Sequence, residues 1–379
     1  MAVNLVEDLN LSKDMILKIN DYVKNSLKIM EVCGTHTMSI YKYGIDKVMP
    51  NNIQLISGPG CPVCVTEINY IDNAISLLDK GVVIATFADM LKVPGSYSSL
   101  IKEKSKGKKI EVIYSPEELL TLAENNKKEE IVFMAVGFET IAPIYADVLI
   151  KAKMKNINNL SFIVAIKRMP PIIEYLLKDK YIGINGLICP GNVCAITGIE
   201  EFKSLAEKYN VPMVISGFTS SEILASILKI SLMAEKKEYT CVNYYKSVVK
   251  KEGNIIAKKK IEEVFGISSS FWRGLGEVTD SGYKLNKSYE QYDALKKFKV
   301  KFNSIEISSN CICGSIIKGM KTPRECKCFG KICTPSNPLG PCMVSNEGTC
   351  SNYYKYRRDE QWWILFSYHM VVVERKLIN

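Results

Sequence analysis

Seven cysteines fall within forty residues near the carboxyl end: Cys311, Cys313, Cys326, Cys328, Cys333, Cys342 and Cys350. Thiolates are the ligands that soft metals prefer, and an iron–sulfur cluster needs four of them converging on one cube. Zinc ribbons also use four cysteines, usually as two CxxC pairs. This stretch has no CxxC; its close pairs are Cys311-Ile312-Cys313 and Cys326-Lys327-Cys328. The set reads as a cluster beside a redox-active cysteine pair, with structural zinc as the competing reading. Histidine is scarce, with only His36 and His369, so a Cys2His2 zinc site is all but excluded.

A second constellation lies in two glycine-bearing loops, Cys33-Gly34-Thr35-His36 and Gly58-Pro59-Gly60-Cys61-Pro62-Val63-Cys64. Each follows a predicted strand where a helix begins. Open α/β sheets place ligands in such loops, and glycine lets the backbone approach a ligand closely. A helix N-terminus lowers a thiol's pKa and readies it as nucleophile or metal ligand, which is the expectation for these thiols. Cys61 and Cys64 alone would suggest a thioredoxin-type dithiol, and Cys33 alone a small buried apolar side chain. Three cysteines and one of two histidines in two such loops favour chemistry.

Weaker signals follow. Gly137-Phe138-Glu139-Thr140 closes an apolar run; its Glu139 is either a helix-start charge favoured by the dipole or a cleft residue. Cys189 and Cys194 flank Pro190-Gly191-Asn192-Val193 and read as packed loop positions lining a cleft. Cys241 reads as an isolated structural cysteine.

The elements that must position these residues alternate. Short apolar runs at 28–32, 53–57, 82–86, 131–136, 162–166, 187–188 and 213–216 read as buried strands. Helical stretches are predicted at 66–78, 116–123, 142–152, 171–177, 200–209 and 220–233, and an N-terminal helix at 12–27 carries Met15, Ile19, Val23 and Leu27 at helical spacing. Strand and helix in alternation argue for parallel sheets covered by helices. A short internal echo links Pro59–Thr66 with Pro190–Thr197, each followed later by a phenylalanine turn at Phe87 and Phe218; it suggests two related α/β domains. After about Gly253 the periodicity weakens, and a region so poor in apolar pattern needs a staple.

The bulk numbers fit. At 379 residues the chain is long for one core. Glu7 and Asp8 stand where a signal peptide would be basic and then apolar, and charge interrupts every long apolar stretch, so a cytoplasmic protein with no membrane span is expected. A disulfide scaffold is then disfavoured, and 13 cysteines point to metal or redox work. The net charge of +10 gathers in lysines at 102–109 and 246–260. These read as solvated faces or a docking surface for an acidic partner; no nucleic-acid-binding module is present.

The signatures together resemble the HypD family of hydrogenase maturation factors. Those that carry the resemblance are Glu31–His36, Gly58–Cys64, Gly137–Thr140, Cys189–Cys194 and the run from Thr334 through Pro341 to Cys350. The resemblance implies two similar parallel-sheet α/β domains flanking a cleft, plus a cysteine-rich, mostly helical and loop C-terminal domain holding a [4Fe-4S] cluster. The divisions expected are an N-terminal helix at 1–27 packing on the C-terminal domain, α/β domains at 28–125 and 126–250, and the cluster domain at 251–379. It further implies that Cys33, Cys61 and Cys64 are the essential thiols and iron ligands of the cleft, with His36 and Glu139 beside them. Cys311, Cys326, Cys333 and Cys350 would ligate the cluster and Cys313 and Cys342 would be the redox pair, which leaves Cys328 as an extra thiol. Similar proteins bind a small HypC-like chaperone and receive cyanide from a HypE-like donor. The function implied is a scaffold, not a conventional turnover enzyme, on which an Fe(CN)2CO group is assembled by a monomer that enters hetero-complexes. His36 could then donate a proton or orient a ligand.

The CxC spacing is also similar to that of ferredoxin–thioredoxin reductases, so a cluster-dependent thiol–disulfide oxidoreductase is the alternative. The family pattern ends near Arg357, whereas this chain continues with Trp362–Phe366 and Val371–Val373, too short to span a bilayer.

Overall fold

A computed structural model describes residues 2–300 and 311–357 of the chain, with side chains from residue 11 onward. The tail containing Trp362, Trp363 and His369 lies outside the described residues. The strands are β1 (Leu27–Glu31), β2 (Ile53–Ser57), β3 (Val83–Thr86), β4 (Ile110–Val112), β5 (Ile131–Gly137), β6 (Leu160–Ile166), β7 (Gly186–Pro190), β8 (Met213–Ser216), β9 (Cys241–Asn243), β10 (Phe265–Trp272) and β11 (Gly276–Leu285).

Two parallel sheets form the body. The first has the order β2-β1-β7-β8-β9, the second β4-β3-β5-β6. β5 shows why the apolar runs were legible: all seven of its residues are buried, because helices cover both faces of a parallel sheet. The expected α/β class with two parallel-sheet domains and a cysteine-rich C-terminal region is the class observed.

The chain divides between the sheets differently from a cut at 125/126. It leaves the first sheet after β2, builds all of the second as β3–β6, and returns as β7. Each sheet therefore draws on both sides of that boundary. The internal echo likewise does not give one loop to each sheet, since its two loops follow β2 and β7, the neighbours of β1 in the same sheet. Main-chain pairing of Ile29 with Gly186 across 157 positions sets this order, and no local pattern encodes it.

The N-terminal helix spans Ala2–Tyr22, and Leu27 opens β1 instead of extending the helix. It packs on helix Ser220–Lys236, where Ile19 and Val23 meet Ile223, Leu224, Ile227 and Ile230, and not mainly on the C-terminal region. Each such buried aliphatic side chain stabilises by roughly 1.5–3 kcal/mol. Glu235 completes the join by accepting from the backbone N–H of Lys24 and Asn25 at 3.2 and 3.1 Å. Helix Ser220–Lys236 starts at a capping box in which Thr219 and Glu222 satisfy each other's backbone N–H.

An antiparallel hairpin, β10–β11, follows where the sequence pattern faded. Serines at 268–270 dilute its alternation, so tertiary support holds it. Buried Lys167, just past β6, donates to Ser270 Oγ at 2.9 Å and sits 5.4 Å from the Trp272 ring. In the C-terminal region, helix Thr349–Arg357 packs on helix Gly34–Tyr43, and Arg357 pairs with Asp46, its Nε 3.0 Å from Oδ2. Among the described residues no helix is long and apolar enough to cross a membrane.

Candidate functional site

Parallel strands end together, so the loops after β1, β2 and β7 meet those after β3 and β5. Between them lies a cavity of about 160 Å³. Cys33 lines it from the β1 loop, Gly60 and Pro62 from the β2 loop, and Asn192 and Val193 from the β7 loop. Phe87 and Gly137, Phe138 and Thr140 close it from the second sheet, and Glu347 reaches in from the C-terminal region. This volume takes a small ligand-bearing group, being well below the size of drug-binding pockets.

Cys33 caps helix Gly34–Tyr43. Its backbone N–H donates to Glu31 Oε2 at 2.9 Å, and its thiol lies 3.9 Å from Asn192 Oδ1. Thr37 donates to the other Glu31 oxygen, so one buried carboxylate organises the whole turn. The expected lowering of the thiol's pKa does not hold for Cys33. Burial pushes it up to about 12; the N–H groups of His36 and Thr35 pull against this, while the carboxylates of Glu347 and Glu31 add to it. Desolvation outweighs the helix terminus. The thiol is thus protonated at neutral pH, and a metal cation must displace that proton to bind. Glu31 is itself pushed up to about 7, first by burial, against hydrogen bonds from Thr37, Cys33 and Ser57.

His36 is buried and faces away from the cavity. Its Nε2 lies 2.8 Å from the carbonyl oxygen of Gly217, and its ring sits 4.9 Å from that of Phe218. A carbonyl only accepts, so Nε2 carries the hydrogen; Nδ1 is buried without a partner among the described residues. Burial holds the ring's pKa down at about 4, against the Gly217 and Ser216 carbonyls and Glu222. The geometry gives His36 the role of a neutral strut between helix Gly34–Tyr43 and the β8 loop, rather than that of a proton donor near pH 7.

Cys61 and Cys64 are joined as a disulfide, and Cys61 Sγ also accepts the Cys64 N–H at 3.1 Å. They stand behind the cavity wall formed by Gly60 and Pro62. Their helix, Pro62–Val65, packs directly on helix Pro341–Val344, which carries Cys342. A Cβ on Gly60 would come within 2.3 Å of the Cys33 backbone, so only glycine allows the two loops to touch.

Glu139 does not line the cavity. Its Oε1 accepts the Met169 N–H at 2.7 Å and its Oε2 is buried without a partner among the described residues. Burial pushes it up to about 7, opposed by hydrogen bonds from Met169 and its own N–H and by Arg168. Cys189 and Cys194 are fully buried behind Pro190, Asn192 and Val193, and so do not face the cleft. Cys241 is not isolated, because it lies in the electrostatic reach of Cys189 and Cys194.

The C-terminal thiols come together. Cys313 has Cys311 and Cys342 as electrostatic neighbours. Cys350 lies in the electrostatic reach of Cys311, Cys313, Cys333 and Cys326, and Cys333 in that of Cys311 and Cys326. Cys328 neighbours Cys326 and Cys311. Among the described residues, no group of three or more His, Cys, Asp or Glu closes tightly enough for a single metal ion. The cysteine-rich region is consistent with an iron–sulfur cluster, which takes thiolates on separate irons and not on one ion.

Sequence reading missed Glu347 and Asn192. Glu347 packs against Gly34, whose Cβ would come within 2.3 Å of it, and its Oε1 lies 3.4 Å from Thr35 Oγ1 across 312 positions of chain. Its only signal was its place in the terminal cysteine-bearing run; that of Asn192 was its glycine-rich loop.

Comparison with known proteins agrees. The profile of a family described as HypD, hydrogenase formation hypA family, matches residues 10–357. A putative hydrogenase expression/formation protein of Methanocaldococcus jannaschii is 42% identical over 355 residues, 93% of this chain and 99% of that protein. The hydrogenase maturation factor HypD of Rhodobacter capsulatus is 37% identical over 345 residues, covering 89% of this chain and 92% of its own. That of Escherichia coli K12 is 34% identical over 336 residues, covering 88% and 90%. With the family's pattern running from the N-terminal helix to Arg357, the chain belongs to the HypD family of hydrogenase maturation factors.

Proposed function

We propose that the chain is the scaffold on which a hydrogenase iron receives its cyanide and carbon monoxide ligands, with Cys33 as the iron's thiolate. The observation that carries this is the placement of the Cys33 thiol in a small cavity where the carboxyl ends of both sheets meet. Iron that carries cyanide and carbon monoxide is a soft, low-spin centre suited to thiolate. A HypC-like partner would supply a second thiolate at the mouth, and a HypE-like partner would bring cyanide as a protein thiocyanate, as the family resemblance implies.

Releasing cyanide from a thiocyanate consumes two electrons and one proton and leaves a thiol and cyanide. The Cys61/Cys64 dithiol supplies both electrons and that proton by closing to its disulfide, and its second proton passes to solvent. Exchange with Cys313 and Cys342 reopens it: that pair gives up two electrons and two protons and becomes the disulfide. The packing of helix Pro62–Val65 on helix Pro341–Val344 supports this exchange. Cys311, Cys326, Cys333 and Cys350 would hold a [4Fe-4S] cluster, which when bound supplies electrons one at a time. The same adjacency of two cysteine pairs also favours the second reading, a thiol–disulfide oxidoreductase.

Infrared spectra of the anaerobic full-length protein with its small partner test the proposal. Iron-bound cyanide and carbon monoxide bands are expected in the wild type and are expected to vanish in Cys33→Ala. Bands that persist in Cys33→Ala sink the assignment of the thiolate, and a protein that reduces partner disulfides without ever carrying such bands favours the oxidoreductase.

A further inference from the structure

The hairpin tip between β10 and β11 carries Arg273, which the function above does not use. Three contacts fix where it stands. Its backbone N–H donates to the Val65 carbonyl at 2.8 Å, tying it to the helix of Cys61 and Cys64. The next residue, Gly274, is at φ +76° and packs so closely on Gly314 that a Cβ there would lie 2.2 Å from the Gly314 Cα. Gly314 follows Cys313 in helix Cys313–Ile317. The tip is therefore wedged between the two cysteine pairs.

The side chain completes the picture. The contact of Gly274 on Gly314 seats Arg273 beside the turn that carries Cys311 and Cys313. Its Nη1 is buried and makes no hydrogen bond among the described residues. A buried guanidinium donor without an acceptor costs free energy unless something negative arrives to take it. The groups within its field that gain negative charge are the C-terminal thiols and whatever they hold.

We propose that Arg273 is a positioning residue for electron transfer, supplying the fixed positive charge that stabilises the reduced, more negative state of the Cys311/Cys313 end of the thiol centre. This rests on the reading of that centre as the electron source for the Cys61–Cys64 pair. A fixed cation beside a redox group raises its reduction potential, because the added electron is attracted to it. It also favours the open form of a dithiol over its disulfide, since the open form is the one that can carry thiolate. Arginine suits the post, as its guanidinium cannot deprotonate in a protein.

The test is an anaerobic dithionite titration of full-length wild type, Arg273→Lys and Arg273→Gln, followed by electron paramagnetic resonance. A midpoint shifted to more negative potential in Arg273→Gln, with Arg273→Lys close to wild type and iron content equal, supports the proposal. Coincident midpoints in all three overturn it. Wild type with no iron–sulfur signal overturns the cluster reading, and the proposal is then decided on the thiols alone. For that, and for a variant that loses its iron, full-length protein is equilibrated across ratios of reduced to oxidised dithiothreitol. Cys313 and Cys342 are then counted by alkylation and mass spectrometry. Several-fold more oxidised pair in Arg273→Gln at a fixed ratio supports the role; superimposable curves overturn it.

Discussion

Glu31 Oε2 accepts the backbone N–H of Cys33 at 2.9 Å, so the residue that ends β1 holds the turn that presents the cavity thiol. Its other oxygen takes the Thr37 hydroxyl, and both donors are buried. Glu31→Ala leaves the Cys33 N–H without its acceptor and the Thr37 hydroxyl with only the Cys33 carbonyl at 3.4 Å, at ~1–3 kcal/mol for each bond lost. A loss of about 2–6 kcal/mol in urea unfolding is expected, with slower iron uptake. A variant with wild-type stability would show that the carboxylate does not hold the turn.

Gly60 and Gly34 separate two kinds of close approach. A Cβ at Gly60 meets the Cys33 backbone, which cannot move without unmaking β1's end, whereas one at Gly34 meets the Glu347 side chain. Gly60→Ala should therefore destabilise more than Gly34→Ala, whose cost falls near ~1–3 kcal/mol. Gly34→Ala should also expose the loop around Glu347 to protease, which limited proteolysis reads directly.

His36 makes stability depend on acid. Its folded pKa of about 4 lies below the ordinary 6.5, so the unfolded chain binds more protons between those values. The stability it contributes is complete above 6.5 and is lost as pH falls toward 4, reaching about 2 kcal/mol at pH 5. Glu31 and Glu139, pushed up to about 7, act oppositely and lose their contribution as pH rises through 4.5 to 7. His36→Gln should thus cost less at pH 5 than at pH 7. Equal cost at both values in denaturant titrations would falsify the buried neutral ring.

Cys326 and Cys328 should differ. The ligand set proposed above includes Cys326 and leaves Cys328, its neighbour, as an extra thiol. Cys328→Ser should keep most of its iron, sulfide and brown colour after anaerobic preparation, while Cys326→Ser should lose most of them. The reverse result would make Cys328 the ligand.

Much of this protein is written locally in its sequence. The run Ile131–Gly137 is apolar throughout because both faces of its sheet are covered, and such a run is visible without a structure. The loops of Cys33 and Cys61 stood out in the sequence because glycine, cysteine and histidine gathered at strand ends. The N-terminal helix was legible too, but not its partner, since many apolar faces could accept its stripe. Which strands share a sheet was decided by pairing across 157 positions, as at Ile29 and Gly186. Glu347 reached the cavity only because folding brought it to Thr35 from 312 positions away. The thiol of Cys33 shows the limit most plainly: its helix-start position predicts a lowered pKa, yet burial raised it to about 12. Local sequence sets hydrogen-bond geometry, whereas desolvation is a property of everything packed around a group, and that exists only in the folded chain.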